Sequence, residues 1–528
     1  MARKVEFKLL WVGLALLAPW LNPFAGGPWP AAVSSLVSMA CVSVLCFSAT
    51  KWRLSCTRLI AWAWLFAALT SSAIGVVQYF GVSAWFQPWI NTTQAGEAFA
   101  NLRQRNQFAT LTNIGLVALV WLGTCRKIAS VPVEPVAWAP NASAPEYPRA
   151  WASAAAVALA VGNAASASRT GMLQLFLVGG VLVVWGRLRY SRVRWLLLLT
   201  GLAYAAGVFL LPRLAGLDPS TTGLLARLHD AGPACASRLV LWRNVLELIT
   251  LKPWWGWGWG ELDYAHFITL YSGPRFCEIL DNAHNLPLHL AVELGLPLAA
   301  MVCGVGLWLV WRARPWRETV PARQMAWAVL ALILLHSMLE YPLWYGPFQI
   351  AVGLCVWILW SCPRASGAFT AAPEDRLGPR WTASGSSWHR MVVLISSIVL
   401  LAGVAYAAWD YRRVSQIYTA VERRAPAYRE NTLEKIRASW LFRNQVRFAE
   451  LSIATVTADN AAAMYTLATD LLHFSPESRV VEKLISSAML LGRKEEAAFY
   501  VVRYQAAFPT EYGRWIKAPP VALPPPAQ

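Results

Sequence analysis

The residues best equipped for chemistry are arginines and histidines gathered in a few short runs. Ser166-Ala-Ser168-Arg169-Thr170-Gly171 places Arg169 between two apolar stretches with almost no loop separating them. Ser237-Arg238-Leu-Val-Leu-Trp242-Arg243 has helical apolar spacing, with its two arginines five apart and so not closely on one face. Asp281-Asn282-Ala283-His284-Asn285-Leu-Pro-Leu-His289 runs on to Glu293 and Gly295, and His336 and Glu340 form a further pair at i,i+4. Guanidinium groups are forked, permanent cations that match phosphate. Imidazole exchanges a proton near neutral pH and can take one from a hydroxyl. The pattern therefore points to phosphate recognition coupled to hydroxyl activation. Each residue also has a plainer reading: Arg169 as a snorkelling arginine, His284 as a structural histidine bonded to a carbonyl, His336 and Glu340 as helix–helix hydrogen bonding.

Other chemistries lack their spacing. His284 and His289 are five apart rather than the four of a helical zinc motif, and Cys277 does not complete a ligand set, so no metal is expected. The alternation Gly256-Trp-Gly258-Trp-Gly260 lacks the strand–turn–helix setting of a nucleotide fingerprint and reads as a tight turn with interfacial tryptophans. No nucleophile elbow and no Walker loop is present, and no cofactor is expected.

The elements that must position these residues are membrane helices. Of 528 residues 57% are hydrophobic and only 14% charged, against about 25% charged in soluble domains. Runs long enough to cross ~30 Å of hydrocarbon lie near 9–23, 30–50, 59–80, 107–124, 150–165, 170–186, 195–212, 286–311, 324–340, 343–361 and 391–408. The expected fold is thus an all-α polytopic bundle of about eleven transmembrane helices, its first span uncleaved. The net charge of +18 is read as basic cytoplasmic loops rather than nucleic-acid binding. Lys51/Arg53/Arg58, Arg126/Lys127/Arg149, Arg187/Arg189/Arg192/Arg194, Arg312/Arg314/Arg317/Arg323 and Arg364/Arg376/Arg380/Arg390 fall in alternate loops, which puts the N-terminus inside. The loop near 81–106, the long loop at 212–284 and the polar tail then lie outside, in the periplasm of a Gram-negative cell.

Residues 1–408 read as the membrane domain, 409–518 as a periplasmic helical domain and 519–528 as a Pro-rich disordered tail. In the tail, Phe474 and Phe508 stand 34 apart, each close to a proline, around Leu490-Leu-Gly492-Arg-Lys-Glu-Glu-Ala497. That spacing suggests one tetratricopeptide-like hairpin, with a generic helical tail as the alternative. Cys235 and Cys277 alone among the nine cysteines fall outside; an oxidising compartment permits a disulfide, although two cysteines in one loop can be coincidence. Arginines at an outer membrane face suit a lipid-linked pyrophosphate, a good leaving group whose developing charge they would stabilise.

These runs resemble the O-antigen ligase superfamily: Ser168-Arg169-x-Gly171, Ser237-Arg238-x-x-Leu241-Trp242, Pro253-x-x-Gly256-x-Gly258, and Ala283-His284-Asn285-x-x-Leu288-x-x-x-x-Glu293-x-Gly295. Asn101-Leu-Arg103-Gln104-Arg105-Asn106-Gln107-x-Ala109-Thr110 is similar to a motif of its O-linked protein oligosaccharyltransferase branch, the pilin glycosylation ligases, although Arg105 stands where that motif often has Pro. The resemblance implies glycan transfer from undecaprenyl diphosphate to Ser or Thr of a periplasmic, pilin-like acceptor at a bacterial inner membrane. It implies Arg169 and Arg238 as pyrophosphate-binding and His284 as the essential histidine; Arg243 joins them by proximity alone. Arg103, Gln104, Asn106, Asn285, His289, Glu293, His336 and Glu340 are candidate donor or acceptor contacts. Rival readings are a ligase acting on lipid A-core, an O-antigen polymerase, a lipid or solute transporter, and a periplasmic scaffold.

Overall fold

The computed structural model describes residues 2–25, 27–29, 31–51, 56–124, 148–229, 233–362 and 387–517. Residues 519–528, and with them the expected disordered tail, lie outside these, as do Arg53, Arg126, Lys127, Arg364, Arg376 and Arg380. Every regular element among the described residues is helical. In chain order they are α1 (Ala2–Leu21), α2 (Ala31–Lys51), α3 (Cys56–Tyr79), α4 (Arg105–Thr124), α5 (Arg149–Ala165), α6 (Arg169–Val184) and α7 (Ser191–Leu214). The long loop contributes α8 (Leu224–His229), α9 (Arg238–Leu251), α10 (Leu262–Ile268) and α11 (Leu286–Leu294). Then come α12 (Leu296–Ala313), α13 (Pro321–Ser337), α14 (Gly346–Ser361) and α15 (Ser387–Ser415), and finally α16 (Thr432–Ile436), α17 (Arg443–Ile453), α18 (Ala461–Leu472), α19 (Ser478–Leu490), α20 (Lys494–Ala507) and α21 (Pro509–Trp515). Five of these helices carry stretches long and apolar enough to cross a bilayer, Ala31–Ser48, Thr57–Tyr79, Ser191–Leu214, Leu296–Arg317 and Met391–Tyr418, with shorter apolar helices beside them. The protein is a multi-pass membrane protein.

The chain divides into two compact units. The first comprises 1–25, 30–230 and 309–405. Its centre is α4, which packs against α3, α5, α6 and α13 and is buried along nearly its whole length, from Phe108 to Leu122. A helix enclosed on every side must satisfy its polar side chains internally. Accordingly the Asn113 amide donates to the carbonyls of Ala109 and Gly171, and Thr110 bonds the carbonyl of Asn106. Two arginines expected in basic loops are instead tied down. Arg187 is buried and bonds Gln324, while Arg323 pairs with Glu318 at 2.7 Å and reaches the carbonyl of Cys362.

The second unit comprises 26–29, 231–308 and 406–528. Here the expected span at 286–311 is corrected: it is two helices, α11 and α12, parted at Gly295. Gly295 has φ +84°, and a Cβ there would lie 2.2 Å from the carbonyl oxygen of Trp254. Gly256, with φ +67°, is pressed in the same way on the carbonyl oxygen of Glu293, at 2.3 Å. Two backbones thus touch where only glycine fits. The 253–260 turn is laced to α11 by Trp257 N–H to Val292 and Gly258 N–H to Glu293, and to α9 by the Trp257 indole on Leu248. Trp254 and Trp255 meanwhile point outward, 72% and 89% exposed. Cys235 and Cys277 are joined by a disulfide with Cα atoms 5.4 Å apart.

The tail packs on the loop. Phe267 of α10 is buried in the core formed by α17 to α21, with Leu471, Leu484 and Tyr504. Tyr264 stacks on His473 at 3.8 Å, His473 bonds Glu261 at 2.7 Å, and Arg503 donates to the carbonyl of Ile268. Loop and tail therefore form one body, where the sequence reads as two domains parted at residue 408.

Candidate active site

Arg169 and Arg238 occupy equivalent local positions. Each is the first residue of a helix, preceded by a serine that caps it. Ser168 Oγ accepts the Gly171 N–H at 2.9 Å, and Ser237 Oγ accepts the Val240 N–H at 3.3 Å. A capped N-terminus carries the positive end of the helix dipole, so each guanidinium adds its charge where an anion is already favoured. His284 directly precedes a third such cap: Asn285 Oδ1 accepts the Leu288 N–H at 3.1 Å and opens α11.

In the first unit the serine motif is joined to the Asn101–Gln107 motif. Ser168 Oγ donates to Asn106 Oδ1 at 2.6 Å. Asn106 Nδ2 and Gln104 Nε2 each donate to the Glu340 carboxylate at 3.1 Å. His336, one turn before Glu340, meets Thr110 through Nδ1 at 3.0 Å, and Thr110 in turn meets Gln174. A chain of polar groups thus links α4, α6 and α13. The motif's second small residue has a steric cause: a Cβ on Gly171 would lie 2.4 Å from Asn163 Oδ1 and 2.5 Å from Ala109 Cβ. Arg103, expected as a substrate contact, bonds the carbonyl of Pro23 at 2.7 Å and Asn91, an anchoring role. Arg105 forms an ion pair with Glu97.

In the second unit His284 is held in an unusual backbone, φ +50°, a conformation costly for a side chain of its size. Its N–H is fixed by Asn282 Oδ1 at 2.9 Å, and the preceding Ala283 carbonyl accepts the Trp242 indole N–H at 3.1 Å. Trp242 lies on α9, the helix that Arg238 begins, so this bond ties the arginine helix to the histidine turn. His289 and Glu293 face one another at 3.5 Å, both buried. Burial, helped by the charge of His284, pushes His289 down to about 4, and burial pushes Glu293 up to about 7. The pair is thus not a standing ion pair at neutral pH. Arg243 is exposed and rests on Gly273, whose Cβ would lie 3.3 Å from the guanidinium carbon. Among the described residues no three or more His, Cys, Asp or Glu side chains gather as a metal ion would require.

Sequence reasoning missed Arg227, which donates to the carbonyl of Ala167 at 2.9 Å, beside Ser168 and Arg169. It belongs to no motif, and only the fold brings α8 to that turn. Trp242 and Asn282 were within quoted motifs, but their bonds to the His284 turn follow from no spacing rule.

Three family descriptions match the chain. Residues 154–303 match "O-Antigen ligase", 98–122 match "Protein glycosylation ligase", and 324–521 match "Virulence factor membrane-bound polymerase, C-terminal". Two similar proteins come from Acinetobacter baylyi. A "General O-oligosaccharyltransferase" is 25% identical over 304 residues, covering 56% of this chain and 49% of the relative. A "ComP-specific O-oligosaccharyltransferase" is 22% identical over 303 residues, covering 57% and 50%. The chain thus matches about half the length of these curated relatives.

Proposed function

We propose, from the chain's place in the O-antigen ligase superfamily and its O-oligosaccharyltransferase branch, that it moves a preassembled glycan from a lipid-linked pyrophosphate to a hydroxyl of an exported protein. The donor is undecaprenyl diphosphate and the acceptor a pilin-like protein on the periplasmic side of the inner membrane. The carrying observation is the shared local geometry: two arginines at serine-capped helix N-termini and a histidine at the threshold of an asparagine-capped one. Arg169 and Arg238 take the pyrophosphate, and the dipoles behind them add to its stabilisation. His284 accepts the proton of the acceptor hydroxyl as the new glycosidic bond forms. The bond between the anomeric carbon and the pyrophosphate oxygen breaks, and its electron pair leaves with the lipid pyrophosphate, whose charge the arginines meet. One displacement inverts the anomeric carbon, so a retained configuration in the product would contradict it.

Chain extension, as in a polymerase, has one observation in its favour, the match over 324–521. The test is mass spectrometry of periplasmic proteins from a host making a lipid-linked glycan, with the wild type and with His284→Ala. Glycan on exported Ser or Thr with the wild type alone supports protein transfer. Lengthened lipid-linked chains, or glycan on lipid A-core, with no modified protein, would replace it with the polymerase or ligase reading.

A further inference from the structure

We infer that Glu340 is a positioning residue for Arg169: its carboxylate sets the orientation of the Asn106 amide, and through it the Ser168 cap from which the arginine's helix starts. The inference rests on the lipid-pyrophosphate reading and deepens it, since Arg169 is a guanidinium which that reading gives to the donor.

The contacts form a chain with a fixed direction. Glu340 is buried, and each of its oxygens accepts an amide at 3.1 Å, Oε1 from Asn106 and Oε2 from Gln104. A primary amide has a donor end and an acceptor end of nearly the same shape. Turned over, Asn106 would set its carbonyl oxygen against the carboxylate, acceptor against acceptor, so the carboxylate selects the orientation with the NH2 group on its side. The Asn106 carbonyl is thereby turned to Ser168, whose hydroxyl donates to it at 2.6 Å. The single proton of that hydroxyl is then committed. What the serine offers α6 is a lone pair, and this takes the Gly171 N–H at 2.9 Å.

The turn under this control is strained. Ala167 has φ +50°, a costly conformation for any residue with a Cβ, and one that persists only where its surroundings over-determine it. It stands two positions before Arg169. Ser166 Oγ, itself donating to the Asn163 carbonyl, accepts the Ser168 N–H at 3.2 Å, and Asn106 fixes the Ser168 side chain from α4. Because Arg169 is the first residue of α6, an error in the cap is carried straight to the root of the guanidinium. A buried carboxylate is also an expensive way to join α4 to the end of α13, and an apolar contact would do that more cheaply. What the carboxylate adds is a fixed sense to the hydrogen bonds that follow it.

The probe is undecaprenyl diphosphate, titrated into the purified protein in detergent, with affinity read beside the Tm of each ligand-free variant. Glu340→Gln keeps the shape but leaves one acceptor oxygen for two amides, so the chain loses its fixed sense. Affinity should fall about tenfold, the worth of one hydrogen bond to a charged group. Ser168→Ala cuts the chain at its other end and should cost a similar factor, which keeps the test open if Glu340→Gln alone fails to fold. Asn106→Asp combined with Glu340→Gln decides the mechanism. The carboxylate then sits in the middle of the chain, accepting the Ser168 hydroxyl and the new amide, whose carbonyl takes the Gln104 amide. Affinity should return to within about threefold of the wild type. In an Arg169→Ala background neither single variant should change affinity by more than about twofold, because the group they position is gone; a purely structural role would cost the same factor again. Wild-type affinity in Glu340→Gln or Ser168→Ala, no recovery in the paired exchange, or undiminished losses on top of Arg169→Ala overturns the inference. Arg169→Ala that binds as tightly as the wild type removes the pyrophosphate reading itself, a failure visible before either positioning variant is made.

Discussion

Histidine as a residue type does not announce its role, and this loop holds two opposite cases. His266 is buried with both ring nitrogens engaged, Nδ1 with the Tyr271 hydroxyl at 2.8 Å and Nε2 with the Phe276 carbonyl at 3.0 Å. Burial, and then the nearby Arg275 charge, push it from 6.5 down to about 3. The unfolded chain therefore takes up the proton first. The stability His266 contributes is complete above pH 6.5 and drains away as pH falls toward 3. The wild-type Tm should drop more steeply between pH 6.5 and 4.5 than that of His266→Gln; parallel curves would refute this. His284 by contrast is held through its backbone, by Asn282 and a strained φ. His284→Ala should abolish turnover and leave binding of the lipid pyrophosphate donor within about twofold, whereas Arg169→Ala and Arg238→Ala should weaken both. A His284→Ala variant that loses donor affinity would reassign the histidine to binding. Two of the loop carboxylates hold structural bonds: Glu261 is bonded to His473, and Asp263 accepts the N–H of Tyr264.

At the scale of elements, the serine caps show what a sequence discloses. A Ser-Arg pair before an apolar run carries its own instruction, since serine prefers the cap and arginine then falls at the first helical position. Both helices could be read that way. The break at Gly295 could not, because residues 286–311 are apolar almost throughout and hydropathy records no interruption. The break is caused by Trp254, some forty residues upstream in sequence, whose backbone presses on Gly295. Contacts of that kind leave no local signature beyond the glycine itself. Gly256→Ala and Gly295→Ala should each lower stability by about 2 kcal/mol or more, from positive φ and backbone overlap together, and should loosen the turn that joins α9 to α11. Thermal unfolding of the purified variants measures this; wild-type values would show the close approach to be dispensable. The same limit hid Arg227, visible as one more arginine until α8 was set beside the α5–α6 turn.

At the scale of the molecule, contacts inside the second unit join stretches far apart in sequence. Tyr411 donates its hydroxyl to the carbonyl of Trp29 at 2.8 Å, which ties residues 27–29 to the end of α15. Because α10 packs into the tail's core, loop and tail are held together. What the sequence concealed is that the tail is no appendage. Removing residues after Trp409 strips the cover from Phe267, Tyr264 and Ile268. We expect the truncated chain to lose all transfer, with protease sites opening in 262–280, rather than merely to change acceptor preference. Full activity after truncation would show that α10 stands alone.

That shared core also sets a timetable for synthesis. The ribosome completes α10 well before α18 to α21 emerge, so Phe267 must wait, uncovered, while the intervening helices and the tail are still being made. Any premature stop would leave the patch permanently bare, a ready mark for the quality control of unfinished chains. Completion of translation is thereby written into the loop that bears the histidine.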